Sequence, residues 1–169
     1  APVAPATVQK EIPLLTEKDI ECRVQSVSRA KTGKVGAVLL LYKDARVDMR
    51  ILDQVFGPGN WQRTHEVING NLFCNIDIWD AEKRAWVRKQ DVGVESNTEK
   101  EKGQASDAFK RAGFNVGIGR ELYAGPFIYV ELADNEFYSE GQQNGRKEVL
   151  KCYSNTRFKV TRVAYNDRR

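Results

Sequence analysis

The stretch from Trp61 to Val94 constrains the fold most, because apolar residues recur there at every second position. Alternation of this kind is typical of β-strands with one apolar face. Asn69-Gly70 interrupts the pattern, and this dipeptide favours the tight two-residue turn of a hairpin. A second turn is indicated at 80–84, where four of the five residues are charged. The pattern predicts a three-stranded antiparallel meander whose apolar face needs a cover.

A helix that begins near Thr98 is the predicted cover. Thr98 and Glu101 have the spacing of a capping box, in which each side chain satisfies a free backbone amide at the helix start. Small apolar residues then recur on one face at helical spacing. They are Ala105, Ala108, Phe109 and Ala112. We therefore predict the α+β class, with the meander packed on a helix as a β-β-β-α core.

The N-terminal part of the chain divides into an arm and the start of the domain. Residues Ala1–Pro13 are rich in Pro, Ala and Val without a period, which predicts a flexible arm. Thr16 resembles a helix start, and the apolar stripe of Val24 and Val27 continues at helical spacing, so an N-terminal helix is predicted. Residues 14–169 are expected to form a single domain, because a chain of 169 residues suffices for one proper core.

Further strands and a helix are predicted on either side of the meander. Val35–Tyr42 is an apolar run typical of a buried strand, and a second helix follows it, capped by Asp44 and ended by Gly57. Phe127–Leu132 adds another strand. A C-terminal hairpin is predicted from the runs Val149–Tyr153 and Arg157–Tyr165.

Composition excludes several classes of protein. No apolar run approaches membrane-spanning length and no secretory leader is visible, so we expect a cytoplasmic protein without a membrane partner. Cys22, Cys74 and Cys152 are widely spaced and form no C-x-x-C pair, which argues against a disulfide framework or a zinc knuckle. We expect them to be buried or partly buried free thiols.

Charge is distributed unevenly along the C-terminal third. The stretch from Arg146 to Arg169 holds eight Lys or Arg residues against two acids, a net charge of +6. The preceding stretch from Glu121 to Gly145 holds five acids and no Lys or Arg. This arrangement suits a polyanion on one surface and a different partner on another, although two solvated faces would give the same pattern.

Enzyme motifs are incomplete in this sequence. Gly33-Lys34 lacks the upstream glycine of a phosphate-binding loop, and Gly117-Ile-Gly119 follows a helix rather than a strand. His65 is the only histidine and no convincing nucleophile–base pair accompanies it, so the sequence does not indicate a hydrolytic catalytic triad. We predict no catalytic activity, no cofactor and no metal. A minor alternative is a Mg²⁺-dependent nuclease site formed by Asp77, Asp80 and Glu95.

Three motifs resemble one family. The run ASDAFKRAGFNVGIGRELY is similar to the helix-and-loop motif of the single-strand annealing proteins, the superfamily of Rad fifty-two, the phage Sak-type annealing proteins and DdrA. DARVDMRILDQVFGPGNW resembles the family's helix that carries an arginine and ends in Phe-Gly before Gly-x-Trp. DVGVES resembles its Asp-Val-Gly strand end. The motifs occur in the family's order and cover most of Lys34 to Tyr123.

The resemblance implies a binding groove for single-stranded DNA. Lys110 and Arg111 match the cation pair that holds the DNA backbone in the family. Arg29 aligns with a further groove arginine, and the loose alignment leaves Lys31 or Lys34 as alternatives. Some relatives carry another basic residue where this chain has Phe114.

Other candidates are weaker. Tyr42 either stacks near the groove or packs at the end of a strand. Lys83, Arg84 and Lys102 resemble the family's secondary, outer DNA-binding region, but solvated positions explain them equally well. Trp61 matches the buried tryptophan of the family. Trp79 and Trp86 flank the charged turn, and the sequence leaves two roles open for them, base stacking and packing.

The function implied by the resemblance is binding of single-stranded DNA and ATP-independent annealing of complementary strands in recombination or repair. It also implies a homo-oligomeric ring or filament, acting on the nucleoid in a bacterial or phage-infected cytosol. Two alternatives stay open. One is a repair protein that protects DNA 3′ ends without strong annealing, and the other is an adaptor that recruits a replication or single-strand-binding protein.

Overall fold

A computed structural model describes residues 10–95, 100–141 and 148–166. The elements in chain order are β1 (Glu21–Arg29), β2 (Val35–Tyr42), α1 (Ala45–Phe56), β3 (Trp61–Ile68), β4 (Asn71–Asp80), β5 (Ala85–Val92), α2 (Lys100–Val116), a 3₁₀ helix (Arg120–Ala124), β6 (Ile128–Glu131), β7 (Phe137–Ser139) and β8 (Leu150–Cys152). Antiparallel sheets and two α-helices confirm the predicted α+β class.

The chain divides into two compact units, and each is built from separate segments. The first unit contains the chain up to Leu14 together with Asp44–Arg120. The second contains Leu15–Lys43 and the chain from Glu121 onwards. A single domain over 14–169 stays a prediction.

The predicted meander forms the sheet of the first unit. Its strands pair antiparallel in the order β3-β4-β5. Asn69 and Gly70 both have positive φ, 51° and 79°, as a two-residue turn between right-twisted strands requires. The third strand ends at Val92 rather than at Val94.

Helix α2 covers the apolar face of this sheet, as predicted. Cys74 and Ile76 of β4 and Phe109 of α2 are all fully buried. The Trp61 ring stacks on Phe109 with centroids 6.2 Å apart, which confirms its packing role. Burial of a side chain such as Phe109 stabilises the fold by about 1.5–3 kcal/mol. Thr98 of the predicted capping box lies outside the described residues.

The predicted caps of α1 are confirmed. The Asp44 side chain accepts a hydrogen bond from the Arg46 amide at 2.8 Å, which satisfies one free donor of the first turn. Gly57 ends the helix with a φ of 90°, and its N–H donates to the Asp53 carbonyl at 2.9 Å. α1 touches α2 where a Cβ on Gly113 would lie 2.6 Å from Asp48 Oδ1, so this close approach needs glycine.

The second unit contains a sheet of order β1-β2-β6 and a separate hairpin of β7 and β8. The predicted strands at Val35–Tyr42 and near Phe127–Leu132 are confirmed. One core cluster of this unit consists of five buried side chains. They are Val35, Ala37, Leu39, Leu132 and Leu150.

The predicted N-terminal helix is wrong, because β1 occupies this stretch. The helix-start signal at Thr16 is an isolated turn, in which its amide and hydroxyl donate to Asp19 Oδ2 at 2.8 and 3.0 Å. The strand register shifts between Val24 and Ser26. Because of this bulge, Val24 and Val27 oppose Leu39 and Ala37 and lie on one face although they are three residues apart. A bulged strand therefore mimics helical spacing.

The predicted C-terminal hairpin is also wrong. β8 pairs with β7, and residues 157–165 form no strand with any described residue. Tyr153 N–H donates to the Glu136 carbonyl at 3.1 Å, which continues the β7–β8 pairing. Residues 158–165 instead line an apolar cavity of about 590 Å³ beside β1, β2 and β6, and Phe158 packs against the core.

Candidate nucleic-acid interface

The end of β5 contacts the backbone of α2. A Cβ on Gly93 would collide with the Gln104 carbonyl oxygen and would lie 2.8 Å from Ala108 Cβ. Glycine is therefore required where the strand meets the helix. This gives the Asp-Val-Gly motif a physical role, because it sets the distance between the sheet and the helix that carries the candidate cations.

Hydrogen bonds from the same strand end fix α2 along its length. Asn115 Nδ2 donates to the Gln90 carbonyl at 2.9 Å and to Asp91 Oδ2 at 3.2 Å. Nearer the start of the helix, the Val94 amide donates to Asp107 Oδ2 at 2.8 Å. Two polar contacts 8 positions apart on the helix, together with buried alanines, hold α2 in one position.

Lys110 and Arg111 lie on α2, and both side chains are half-buried. Arg111 Nε is 3.3 Å from Asp107 Oδ2, an ion pair within one helical turn. No described residue forms an ion pair with Lys110. A partly exposed pair such as that of Arg111 is worth about 0–1 kcal/mol, so a phosphate can compete for the guanidinium.

Two arginines beside these cations were missed by the sequence reasoning. The exposed Arg63 guanidinium lies 4.5 Å from the Phe109 ring centroid, on the face of the sheet that α2 covers. Arg120 donates to the Phe114 and Asn115 carbonyls at 2.9 and 3.1 Å, so it caps the C-terminus of α2. Alternation along β3 could have indicated Arg63, whereas the position of Arg120 depends on the turn at 117–119.

A cation lies beside the Phe114 ring. The Arg120 guanidinium lies 5.6 Å from the centroid of the Phe114 ring. A positive charge is therefore present near this position through a cation–π contact.

Lys83 and Arg84 lie together at the tip of the β4–β5 hairpin. Asp80 Oδ1 accepts from the Glu82 and Lys83 amides, both at 3.0 Å, and these bonds lower the pKa of Asp80. Lys83 Nζ is 3.4 Å from Asp80 Oδ2, and Arg84 has a positive φ of 50°. Lys102 is exposed on α2. The turn carries as many acids as bases, so its charge is balanced.

Arg29, Lys31 and Lys34 lie in the second unit, around the turn between β1 and β2. Arg29 Nε and Nη2 both donate to the Glu148 carboxylate at 3.1 Å, which raises the pKa of Arg29 and lowers the pKa of Glu148. Lys34 Nζ is 3.0 Å from Glu131 Oε1. Lys31 forms no ion pair with a described residue. Two of the three cations are therefore already neutralised within their own unit.

Tyr42 ends β2 in the second unit. Its ring lies 5.8 Å from the Arg23 guanidinium, and a hydrogen bond with Glu21 raises the pKa of the Tyr42 hydroxyl. The residue is 36% exposed, so it is not a core residue. Because Tyr42 and Arg29 belong to one unit and Lys110 and Arg111 to the other, a groove that joins them stays a prediction.

The carboxylates of the alternative nuclease site have other roles. Asp77 accepts from Arg88 Nε at 2.7 Å, from Arg88 Nη2 at 3.0 Å and from Gln62 Nε2 at 3.2 Å. The Arg88 guanidinium holds the pKa of Asp77 below its usual range. Within the ranges that the structure describes, no three His, Cys, Asp or Glu side chains are grouped so that they could hold a metal ion.

The cysteines are free thiols, as predicted. Cys74 is buried, and desolvation raises its pKa to about 11. Cys22 and Cys152 are half-buried in the second unit, and burial raises the pKa of both thiols.

Scans against protein-family models, curated proteins and solved structures found no match to this chain. Neither α-helix in the described ranges is both long and apolar enough to cross a membrane.

Proposed function

We propose that this protein binds single-stranded DNA and anneals complementary strands without ATP, as a member of the Rad fifty-two superfamily. The observation that carries the proposal is the contact among the three family-like motifs in one unit. The Asp-Val-Gly strand end meets α2 at Gly93, and α1 meets α2 at Gly113. Each contact uses a glycine that belongs to a motif, so the three motifs form one substructure around the helix of Lys110 and Arg111.

The cations of α2 act on the DNA backbone in this proposal. Lys110 is free of ion pairs with described residues, and Arg111 pairs with the half-buried Asp107. Phosphate contacts of this kind release counterions and read no sequence, so binding tolerates any base order. Bases that are not used for binding remain available to pair with a second strand. Arg63 and Arg120 add positive charge beside the helix.

The residues of the second unit supply a further contact in this proposal. Lys31 is the most available of the three candidate cations there, because Arg29 and Lys34 are paired with Glu148 and Glu131. Binding through Arg29 requires a phosphate to replace Glu148. We therefore assign the main contact to Lys110 and Arg111, and a secondary one to Arg29, Lys31, Lys34 and Tyr42.

We further propose that the working form is a homo-oligomeric ring or filament in the bacterial or phage-infected cytosol. One chain places only a few cations on the phosphates, and repeating the site raises the effective concentration of the next contact. Among the described strands, β3 and β5 each pair on one side only, and so do β1 and β6. Open strand edges are templates for pairing with another chain.

The experiment that tests the function compares two double variants. Lys110→Ala with Arg111→Ala is expected to weaken binding of oligo(dT), and to lower the salt slope by about 0.7 to 1 per lost contact. Lys10→Ala with Lys18→Ala removes the same charge from exposed positions outside the candidate set and is the matched control.

Fluorescence anisotropy across a salt series measures affinity, and annealing of complementary oligonucleotides is followed in EDTA without ATP. Equal affinity and salt slope in a folded Lys110/Arg111 variant would refute the site. Binding with protection of 3′ ends from an exonuclease, but without annealing, would assign the protein to end protection.

A further inference from the structure

Two tryptophans lie side by side on the sheet face that α2 does not cover. Trp79 of β4 and Trp86 of β5 are direct cross-strand partners, with ring centroids 5.4 Å apart and planes inclined by 67°. Trp79 shares its face of β4 with Asn75 and Asp77, whereas Cys74 and Ile76 point towards α2. The pair is therefore separated from the cations of α2 by the thickness of the sheet.

Both indoles of this pair are exposed to solvent. Cross-strand aromatic pairs do stabilise hairpins, and their contribution grows as the rings are buried. Here Trp79 is 38% exposed and Trp86 43% exposed. Trp61, on the opposite face, is half-buried against Phe109. Adjacent indoles left open to solvent present π faces and edges on which a planar ligand can stack.

The polar side chains beside the pair are already organised. On the same face Gln90 donates to Asn75 Oδ1 at 2.7 Å and to Glu66 Oε1 at 2.9 Å. Arg88 and Gln62 both donate to Asp77. These mutual bonds hold amide and guanidinium groups in fixed orientations next to the indoles.

The charge of this surface distinguishes it from a phosphate site. The turn at 80–84 carries two acids and two bases, and Arg88 is neutralised by Asp77. A surface without excess positive charge attracts neither phosphates nor an acidic peptide strongly. A flat aromatic and amide surface of balanced charge matches the uncharged, planar part of a nucleotide, which is its base.

We propose that Trp79 and Trp86 form a stacking subsite for the bases of single-stranded nucleic acid. The proposal rests on the function proposed above and adds a second kind of contact to it. Lys110 and Arg111 supply affinity that falls with salt, whereas the indoles supply affinity that is nearly independent of salt. The bases captured on this face are unstacked from their neighbours and thus kept from folding back on the same strand.

The test replaces both indoles in two ways. Trp79→Leu with Trp86→Leu keeps apolar volume but removes the aromatic rings, and Trp79→Phe with Trp86→Phe keeps a ring at each position. Oligo(dT) binding is measured by anisotropy across a salt series. The leucine variant is expected to bind about 5-fold to about 150-fold more weakly per stacked base, with an unchanged salt slope. The phenylalanine variant is expected to retain most of the affinity.

Tryptophan fluorescence gives a second readout that does not depend on the leucine variant. The chain has three tryptophans, so the phenylalanine variant leaves Trp61 as the only indole. Oligo(dT) is expected to protect the unaltered protein from acrylamide quenching and to leave the phenylalanine variant unaffected. This comparison tests the stacking subsite even if the leucine variant does not fold.

The outcomes separate the two proposals. Three results would overturn the stacking subsite and leave the annealing proposal intact. They are normal affinity of a folded leucine variant, a reduced salt slope in that variant, and absence of protection of the unaltered protein from acrylamide. If the unaltered protein binds no single-stranded DNA, both proposals fall. Protection by a protein ligand but not by oligo(dT) would assign the indoles to a protein partner and also overturn the proposal.

Discussion

Asp107→Asn is expected to tighten the binding of single-stranded DNA. The Asp107 carboxylate performs two tasks, because Oδ2 accepts from the Val94 amide at 2.8 Å and lies 3.3 Å from Arg111 Nε. Asparagine retains a carbonyl oxygen for the amide but loses the negative charge. The substitution therefore releases Arg111 for a phosphate while keeping the contact that positions α2.

The magnitude follows from the exposure of the pair. The side chains of Arg111 and Asp107 are 41% and 37% exposed, and ion pairs of this kind contribute about 0–1 kcal/mol. Because 1.4 kcal/mol corresponds to a tenfold change in affinity, the expected gain is at most about 5-fold at low salt. The salt slope should steepen by up to about 0.7 if Arg111 gains a phosphate contact.

The assay is oligo(dT) anisotropy at several salt concentrations, beside thermal unfolding of each variant. Glu17→Gln removes one acidic charge from an exposed position in the second unit and controls for net charge. Weaker binding by Asp107→Asn, with unfolding as in the unaltered protein, would contradict a contact between Arg111 and the DNA.

Three further outcomes concern the fold. Gly93→Ala is expected to lower the free energy of unfolding by about 1–3 kcal/mol, because its Cβ collides with the backbone of α2. Gly59→Ala is the control, since no atom lies within 4 Å of its Cβ, and it should be nearly neutral in urea unfolding. Arg88→Gln should move acid unfolding to higher pH. The pKa of Asp77 is depressed in the folded state, so the Asp77 carboxylate stabilises the fold at a pH above its ordinary pKa of 3.8, and this stabilisation is lost as the pH falls below that value. Cys74, with a pKa of about 11, should react with a thiol reagent at pH 8 more slowly than the half-buried cysteines, and only at the rate of unfolding. Rapid reaction of all three thiols together would contradict the burial of Cys74.

The sequence predicted those elements whose signals are local. Asn69-Gly70 fixes a hairpin turn, Asp44 caps its own helix and Gly57 ends it, and each acts through atoms a few residues away. The alternation of β4 also depends only on its own residues. These positions therefore needed no knowledge of the tertiary structure.

The failures arose where the signal is long-range or disguised. The bulge between Val24 and Ser26 gave a strand the spacing of a helix. β7 has only three residues and was not predicted, whereas β8 lies within the predicted run Val149–Tyr153 but pairs with β7 instead of residues 157–165. A short strand gains its stability from its partner, which a local pattern does not reveal.

The candidate site was predicted in part. Helical periodicity and the family-like motif located Lys110 and Arg111 on α2, but neither predicts the ion pair between Arg111 and Asp107. The pairing of Arg29 with Glu148 joins residues that are 119 positions apart. Such pairing is decided by the tertiary fold, and it determines which cations are available to a polyanion.

The interleaved order of the two units has a consequence for synthesis on the ribosome. The main segment of the first unit, Asp44–Arg120, is continuous, so it can fold as soon as it has emerged. The β1–β2 hairpin emerges earlier, yet β6 and Leu150 of its core are translated last. Nascent chains arrested once Arg120 has left the ribosome should therefore hold a protease-resistant first unit beside an unprotected hairpin.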